Sequence, residues 1–356
     1  MELIVLTLFD PIIIRGLEIK NRAWTSPMCQ YSAVNGIVGE WHHVHLGGFA
    51  IGGAGLVMAE ATGVVPEGRI SIGCPGIYND EQVAAWAPIV AFAHSMGSKM
   101  GIQLAHAGRK GGTALPWSDH RMATVDEGGW QAGAPSAIAF EGYPEPHQLT
   151  VPEIDDLVKS FGAAAKRAIR AGFDLVEIHA AHGYLIHEFY SPLSNHRTDE
   201  YGGDYQGRTR LLKEIVQEVR ASIPDATPLF VRISASDWME GGWTIEDSVQ
   251  LSKELKSLGV DLIDASSGGN VHNAKIAIAP GYQVPFAEAI KNGASIMTSA
   301  VGMITDPVQA NEIIESGKAD AVMFAREMLR NPRWPLQAAK VLGIDIKWPV
   351  QIERAK

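Results

Sequence analysis

The sequence predicts a (β/α)8 TIM barrel, and three observations predict it. Eight short apolar runs recur along the chain, most of them separated by helical patterns, which is the signature of a parallel sheet. Several runs follow the same small turn: Gly172-Phe173-Asp174, Gly259-Val260-Asp261 and Gly317-Lys318-Ala319-Asp320. No Gly-x-Gly-x-x-Gly follows the first run, so the runner-up, a doubly wound open sheet, lacks its usual phosphate turn. Eight is the number that closes a barrel.

Taken in order, each run leads into a polar loop. Ala23-Trp24-Thr25 leads to Ser26-Pro27-Met28-Cys29, residues 56–59 to Glu60-Ala61-Thr62, and residues 100–104 to Ala105-His106-Ala107-Gly108-Arg109-Lys110. Residues 175–178 lead to His179-Ala180-Ala181-His182-Gly183-Tyr184, and residues 229–233 to Ser234-Ala235-Ser236. The last three are residues 262–265 before Ser266-Ser267-Gly268-Gly269, residues 295–298 before Ser299-Ala300-Val301-Gly302, and residues 321–324 before Ala325-Arg326. Helices are expected over residues 80–95, 154–171 and 244–257, and from Asp306-Pro307, each opened by acidic residues, a cap or proline. Two connections, residues 113–150 and 188–207, exceed what a simple link needs. They read as extended loops at the C-terminal face, where barrels bind substrate.

Composition bounds the function. The 356 residues, 46% of them hydrophobic, fit one barrel with insertions as well as two domains; on the barrel reading residues 1–356 are one domain. A net charge of -10 offers no basic face to nucleic acid or anionic membrane. Two cysteines, Cys29 and Cys74, make no disulfide scaffold and suit a reducing compartment. The apolar N-terminus lacks a basic region and a cleavage site and is too short to span a bilayer. A cytoplasmic location is expected.

Barrel active sites gather at the C-terminal ends of the strands, so the residues there are the candidates. Arg232 alternates with Val231 and Ile233 and points into the barrel mouth. It reads either as a structural partner of a carboxylate such as Glu60, or as a fixed cation for a group that becomes negative. Gly302 and Ala325-Arg326 end the last two runs, where main-chain N–H groups, a close-approach glycine and a guanidinium suit a phosphate. Cys29 reads as a small buried hydrophobe, a nucleophile or a thiol beside a redox ring. His179 and His182 read as metal ligands, a buried pair or two donors to one oxygen, with Tyr184 as a proton source. A zinc site needs a third ligand, and the His-x-His of barrel metallohydrolases is absent after the first run.

At this point the motifs resemble the Old Yellow Enzyme family of FMN-dependent ene-reductases, in its thermophilic-like branch. The resemblance runs from about Leu8 to the C-terminus. It rests on Ser26-Pro27-Met28-Cys29-Gln30-Tyr31, Glu60-Ala61-Thr62, Pro66-Glu67-Gly68-Arg69, residues 103–110, Ala134-Pro135-Ser136-Ala137, residues 179–184, residues 194–203 and Val231-Arg232-Ile233-Ser234. It implies FMN at the mouth of the barrel, with NADPH or NADH as reductant. Ser26, Pro27, Met28, Cys29, Ala61 and Gln103 would line the flavin ring, and Arg232 would face its N1–C2=O edge. Gly302, Ala325 and Arg326 would hold the phosphate. Tyr31, His179 and His182 would bind the oxygen of an alkene conjugated to a carbonyl or nitro group. Hydride would pass from flavin N5 in a ping-pong cycle, and Tyr184 would give the proton. Arg354 would reach the neighbouring active site of a homodimer or homotetramer. No metal is expected, and a metal-dependent barrel hydrolase using His179 and His182 is the alternative. One departure stands out: Ala325 occupies the position where the family usually has glycine.

Overall fold

The computed structural model describes residues 6–118 and 121–356. Eight parallel strands close into a barrel in chain order: β1 (Ala23–Thr25), β2 (Leu56–Gly63), β3 (Lys99–Ala105), β4 (Leu175–Ala180), β5 (Leu229–Ser234), β6 (Leu262–Ser266), β7 (Met297–Ala300) and β8 (Ala321–Phe324). The expected barrel is therefore the fold.

Helices follow the strands and pack outside them. The helix Asp80–Ser95 has the bounds expected from its pattern, since Asn79 accepts from the Gln82 N–H and Gln82 answers in a capping box. The helix expected from residue 154 begins earlier, at Val151, because Thr150 and Glu153 form a second capping box. Three strands differ from their expected limits by two residues or more. β2 runs on to Gly63 through a bulge between Ala59 and Ala61, which re-aims Glu60 and Ala61. β4 carries His179 within it rather than after it. β7 starts at Met297 instead of Ser295 and runs on to Ala300; its polar Ser299 resembles a loop residue in sequence but is fully buried.

The lower half of the barrel is filled. Trp24 stacks on Phe230 with ring centres 6.0 Å apart, among Met58, Leu175, Leu262 and Met323. An N-terminal hairpin, Ile12–Ile14 against Leu17–Ile19, closes that end with Ile12, Ile14 and Ile19. Burying each such side chain is worth about 1.5–3 kcal/mol. With one end plugged, the polar residues of the barrel collect at the other.

Candidate active site

Strand register builds the floor of the site. His179 on β4 pairs with Arg232 on β5, Arg232 with Asp264 on β6, and Asp264 with Ser299 on β7, one polar row across four strands. All four are buried. The Arg232 Nε lies 3.0 Å from Asp264 Oδ2, an ion pair, although the angle falls short of a hydrogen bond. This corrects the expected partner: it is Asp264, not Glu60. Ser299 donates to the same carboxylate at 3.1 Å.

A second acid, Glu177, accepts from Gln103 Nε2 at 2.8 Å, across a pair set by the β3–β4 register. Burial pushes the Glu177 carboxyl up to about 8, with Asp264 adding to the rise and Arg232 opposing it. Burial also raises Asp264, against the pull of Arg232 and Ser299. One guanidinium thus serves two buried acids. Neither acid was recognised from sequence, though both lie inside apolar strands as Arg232 does.

His182 and Tyr184 gather around His179 of this floor. Ring centres are 5.3 Å apart for His179–His182 and 5.1 Å for His179–Tyr184. Burial drives both imidazoles well below their usual range, and Arg232 adds to the effect, so both are neutral at pH 7. The His182 Nε2 lies 2.7 Å from Ser266 Oγ. The His179 Nδ1 is buried with no hydrogen-bond partner among the described residues. Burial raises the Tyr184 phenol well above its usual value, so it keeps its proton.

The turn from β4 to Tyr184 is held from three sides. His182 has φ 61°, and its N–H donates to Ser234 Oγ at 2.9 Å. Gly183 has φ 67°, and a Cβ there would stand 2.2 Å from the Gly269 carbonyl, so only glycine lets the loops after β4 and β6 approach. The Gly183 N–H donates to His187 Nδ1 at 2.9 Å, while His187 Nε2 lies 2.8 Å from Asp237, itself bonded to Ser191. Lys110 Nζ donates to the carbonyls of His182 and Gly269 and lies 4.7 Å from the centre of the Tyr184 ring. Lys110, His187 and Asp237 were not singled out from sequence; Lys110 stood within a recognised motif without a role.

The strand-end residues converge on the same mouth. Ser26 follows β1, buried, and its hydroxyl has no partner among the described residues; Pro27, Met28 and Cys29 are half-buried beyond it. Ala61 and Gln103 are buried on β2 and β3 and paired in register. Tyr31 has φ 53° and meets the edge of Trp117, from the long loop after β3, at 6.4 Å. Gly302, Ala325 and Arg326, separated in sequence, line one cavity of about 210 Å³ with Tyr282 and Gln283. Unpartnered Ser26 Oγ and His179 Nδ1, the buried Arg232 guanidinium and an arginine-rimmed cavity fit a planar, anionic group such as FMN. Arg354 does not join this site. It is exposed in the terminal turn Glu353–Ala355, after residues 347–351 that pack near Lys20, Gly53 and His94 at the opposite end of the barrel. Among the described residues, neither His179 nor His182 belongs to a group of three metal-ligating side chains.

Such a barrel, with a polar floor and an anion cavity at the ends of its last two strands, is a frame for cofactor chemistry. Comparison with known proteins makes it specific. Residues 7–344 match the NADH:flavin oxidoreductase / NADH oxidase family. An NADPH dehydrogenase of Geobacillus thermodenitrificans is 49% identical over 98% of both chains, and one of Bacillus subtilis is 48% identical over 98% of both. The solved structure of morphinone reductase superposes with TM-score 0.80 at 27% identity, over 98% of this chain and 93% of that one. The chain belongs to the NADH:flavin oxidoreductase / NADH oxidase family, that of the Old Yellow Enzymes. It is an oxidoreductase that works with FMN and a reduced nicotinamide. No described helix is long and apolar enough to cross a membrane.

Proposed function

We propose that the enzyme is an ene-reductase. It oxidises NADPH or NADH and then reduces a C=C bond conjugated to a carbonyl or nitro group, the two substrates using one site in turn. The observation that carries this reading is the pair of neutral imidazoles beside a protonated phenol. FMN, when bound, supplies the two-electron transfer between nicotinamide and substrate. Ser26, Pro27, Met28, Cys29, Ala61 and Gln103 would line its ring, Arg232 would face its N1–C2=O edge, and Gly302, Ala325 and Arg326 would hold its phosphate. His179, His182 and Tyr31 receive the substrate oxygen. Neutral imidazole donors there stabilise the negative charge that grows on that oxygen without adding a charge of their own. The Tyr184 hydroxyl holds the proton for the α carbon.

The same reading places the enzyme in the cytoplasm as a homodimer or homotetramer, with Arg354 entering the neighbouring site. Its exposure, away from the mouth of its own barrel, is compatible with that. A metal-dependent hydrolase is not favoured.

The test is half-reaction kinetics on the flavin-loaded enzyme with a small panel of enones, maleimides and nitroalkenes. Tyr184→Phe is expected to slow alkene reduction about 100-fold or more while nicotinamide oxidation stays within a few fold. Equal loss in both steps removes Tyr184 as proton donor. A protein that gains no yellow colour with FMN overturns the whole reading.

A further inference from the structure

We propose that Cys29, Cys74 and Glu60 form a binding site for a soft divalent cation, of which Zn2+ is the test case. The two sulfurs and a Glu60 carboxylate oxygen lie within 4.8 Å of one another, the only such group of three among the described residues. A tetrahedral zinc, with bonds of about 2.0–2.3 Å, needs its ligand atoms roughly 3.5–3.8 Å apart. Closing the gap therefore requires at most about 1 Å of side-chain movement.

The three side chains come from separate segments that the backbone ties together. Cys29 follows β1, Glu60 stands at the bulge of β2, and Cys74 lies in the loop after it. The Ala33 N–H donates to the Gly73 carbonyl at 2.9 Å, fixing the loop of Cys74 against the segment after Cys29. Ser71 Oγ lies 3.7 Å from Cys74 Sγ.

The carboxylate is already oriented. Gln30 N–H donates to Glu60 Oε2 at 2.8 Å, and His42 Nε2 lies 3.4 Å from Oε1. His42 is fully buried, and its Nδ1 accepts from the Gly39 N–H, so its proton is on Nε2, facing Glu60. That Nε2 has no hydrogen-bond partner among the described residues. Outer groups of this kind hold metal-binding carboxylates in place. Two thiols and one carboxylate favour Zn2+ or Cd2+ over Mg2+ or Ca2+. Cys29 is half-buried, which leaves an entry path and room for water as fourth ligand.

The site stands whether or not the flavin reading does. Where that reading holds, the cation takes the thiol of a residue that lines the flavin, so occupancy inhibits turnover. The test uses the flavin-loaded enzyme freed of metal. Equilibrium dialysis with Zn2+ and elemental analysis are expected to give one equivalent per chain. In Cys74→Ser affinity is expected to fall at least tenfold, with turnover in the absence of metal within about twofold of wild type. Unchanged affinity in Cys74→Ser overturns the site. Wild-type protein loaded with 113Cd2+ decides independently of any variant. A resonance displaced downfield by two sulfur ligands supports the site, and one typical of oxygen and nitrogen ligands overturns it. Zinc bound in a protein that takes up no flavin keeps this site and removes the flavin reading alone.

Discussion

The Lys110 ammonium lies 4.7 Å from the centre of the Tyr184 ring and 2.5 Å from the carbonyl oxygen of His182. One cation thus fixes the loop that carries the proposed substrate-binding His182 and faces the proposed proton donor. Burial lowers the Lys110 amine to about 8, against the pull of Glu188. Below that pH it is charged and clamps the loop; above it the clamp weakens. Alkene reduction is expected to decline as pH rises through about 8, with nicotinamide oxidation less affected. In Lys110→Met the alkene step falls roughly 10- to 100-fold and loses that limb of the profile, while Lys110→Arg keeps a flat one. Stopped-flow traces of each half-reaction across pH measure this.

Arg232 is ion-paired with buried Asp264 and opposes the rise of Glu177, so removing it strands the Asp264 carboxylate and pushes Glu177 higher. Arg232→Met is expected to cost about 3–5 kcal/mol, read as a lower urea midpoint. Asp264→Asn leaves Glu177 beside the guanidinium and should cost less. If the two variants are equally stable, Arg232 does not serve both acids.

Gly183 tests the approach of the β4 and β6 loops. Gly183→Ala puts a methyl group against the Gly269 carbonyl at a positive φ. The loop must shift, taking His182 and Tyr184 with it. The expected outcome is alkene turnover down at least tenfold, with a melting temperature only a few degrees lower, since the barrel core is untouched. Wild-type turnover in this variant contradicts the tight packing.

His106 makes the fold sensitive to acid. It is buried, and burial lowers its imidazole from 6.5 to about 4. The unfolded chain takes up this proton below pH 6.5 while the folded chain refuses it. Stability is therefore full above that pH and is lost progressively down to about 4, by roughly 3 kcal/mol in all. His106→Asn should flatten the slope of urea stability against pH over that window.

Arg326 rims the cavity shared with Gly302 and Ala325. If it holds the FMN phosphate, Arg326→Ala weakens FMN about 10- to 100-fold, the worth of a charge-assisted contact. Riboflavin, which lacks the phosphate, should bind both proteins alike. Fluorescence titration compares the two ligands.

The barrel was legible in the sequence because its signals are local. Apolar runs of three to five residues, repeated turns and capping boxes each involve neighbours along the chain. Where the local signal was polar, as at Ser299, the strand was misplaced. The strand-end residues were legible as well, since a parallel barrel puts every strand's C-terminal end on one face. Partnership was not legible. Alternation says that Arg232 faces inward but not that Asp264 is beside it; that depends on β5–β6 register and closure of the sheet. The same holds for Gln103 with Glu177, His187 with Asp237, and Cys29 with Cys74, pairs joined only when distant strands and loops meet. The sequence by itself determined which chemical groups stand at the mouth. The tertiary structure decided which of them touch, because burial and neighbouring charge, not residue type, keep His179 and His182 neutral, Tyr184 protonated and Glu177 above its usual range.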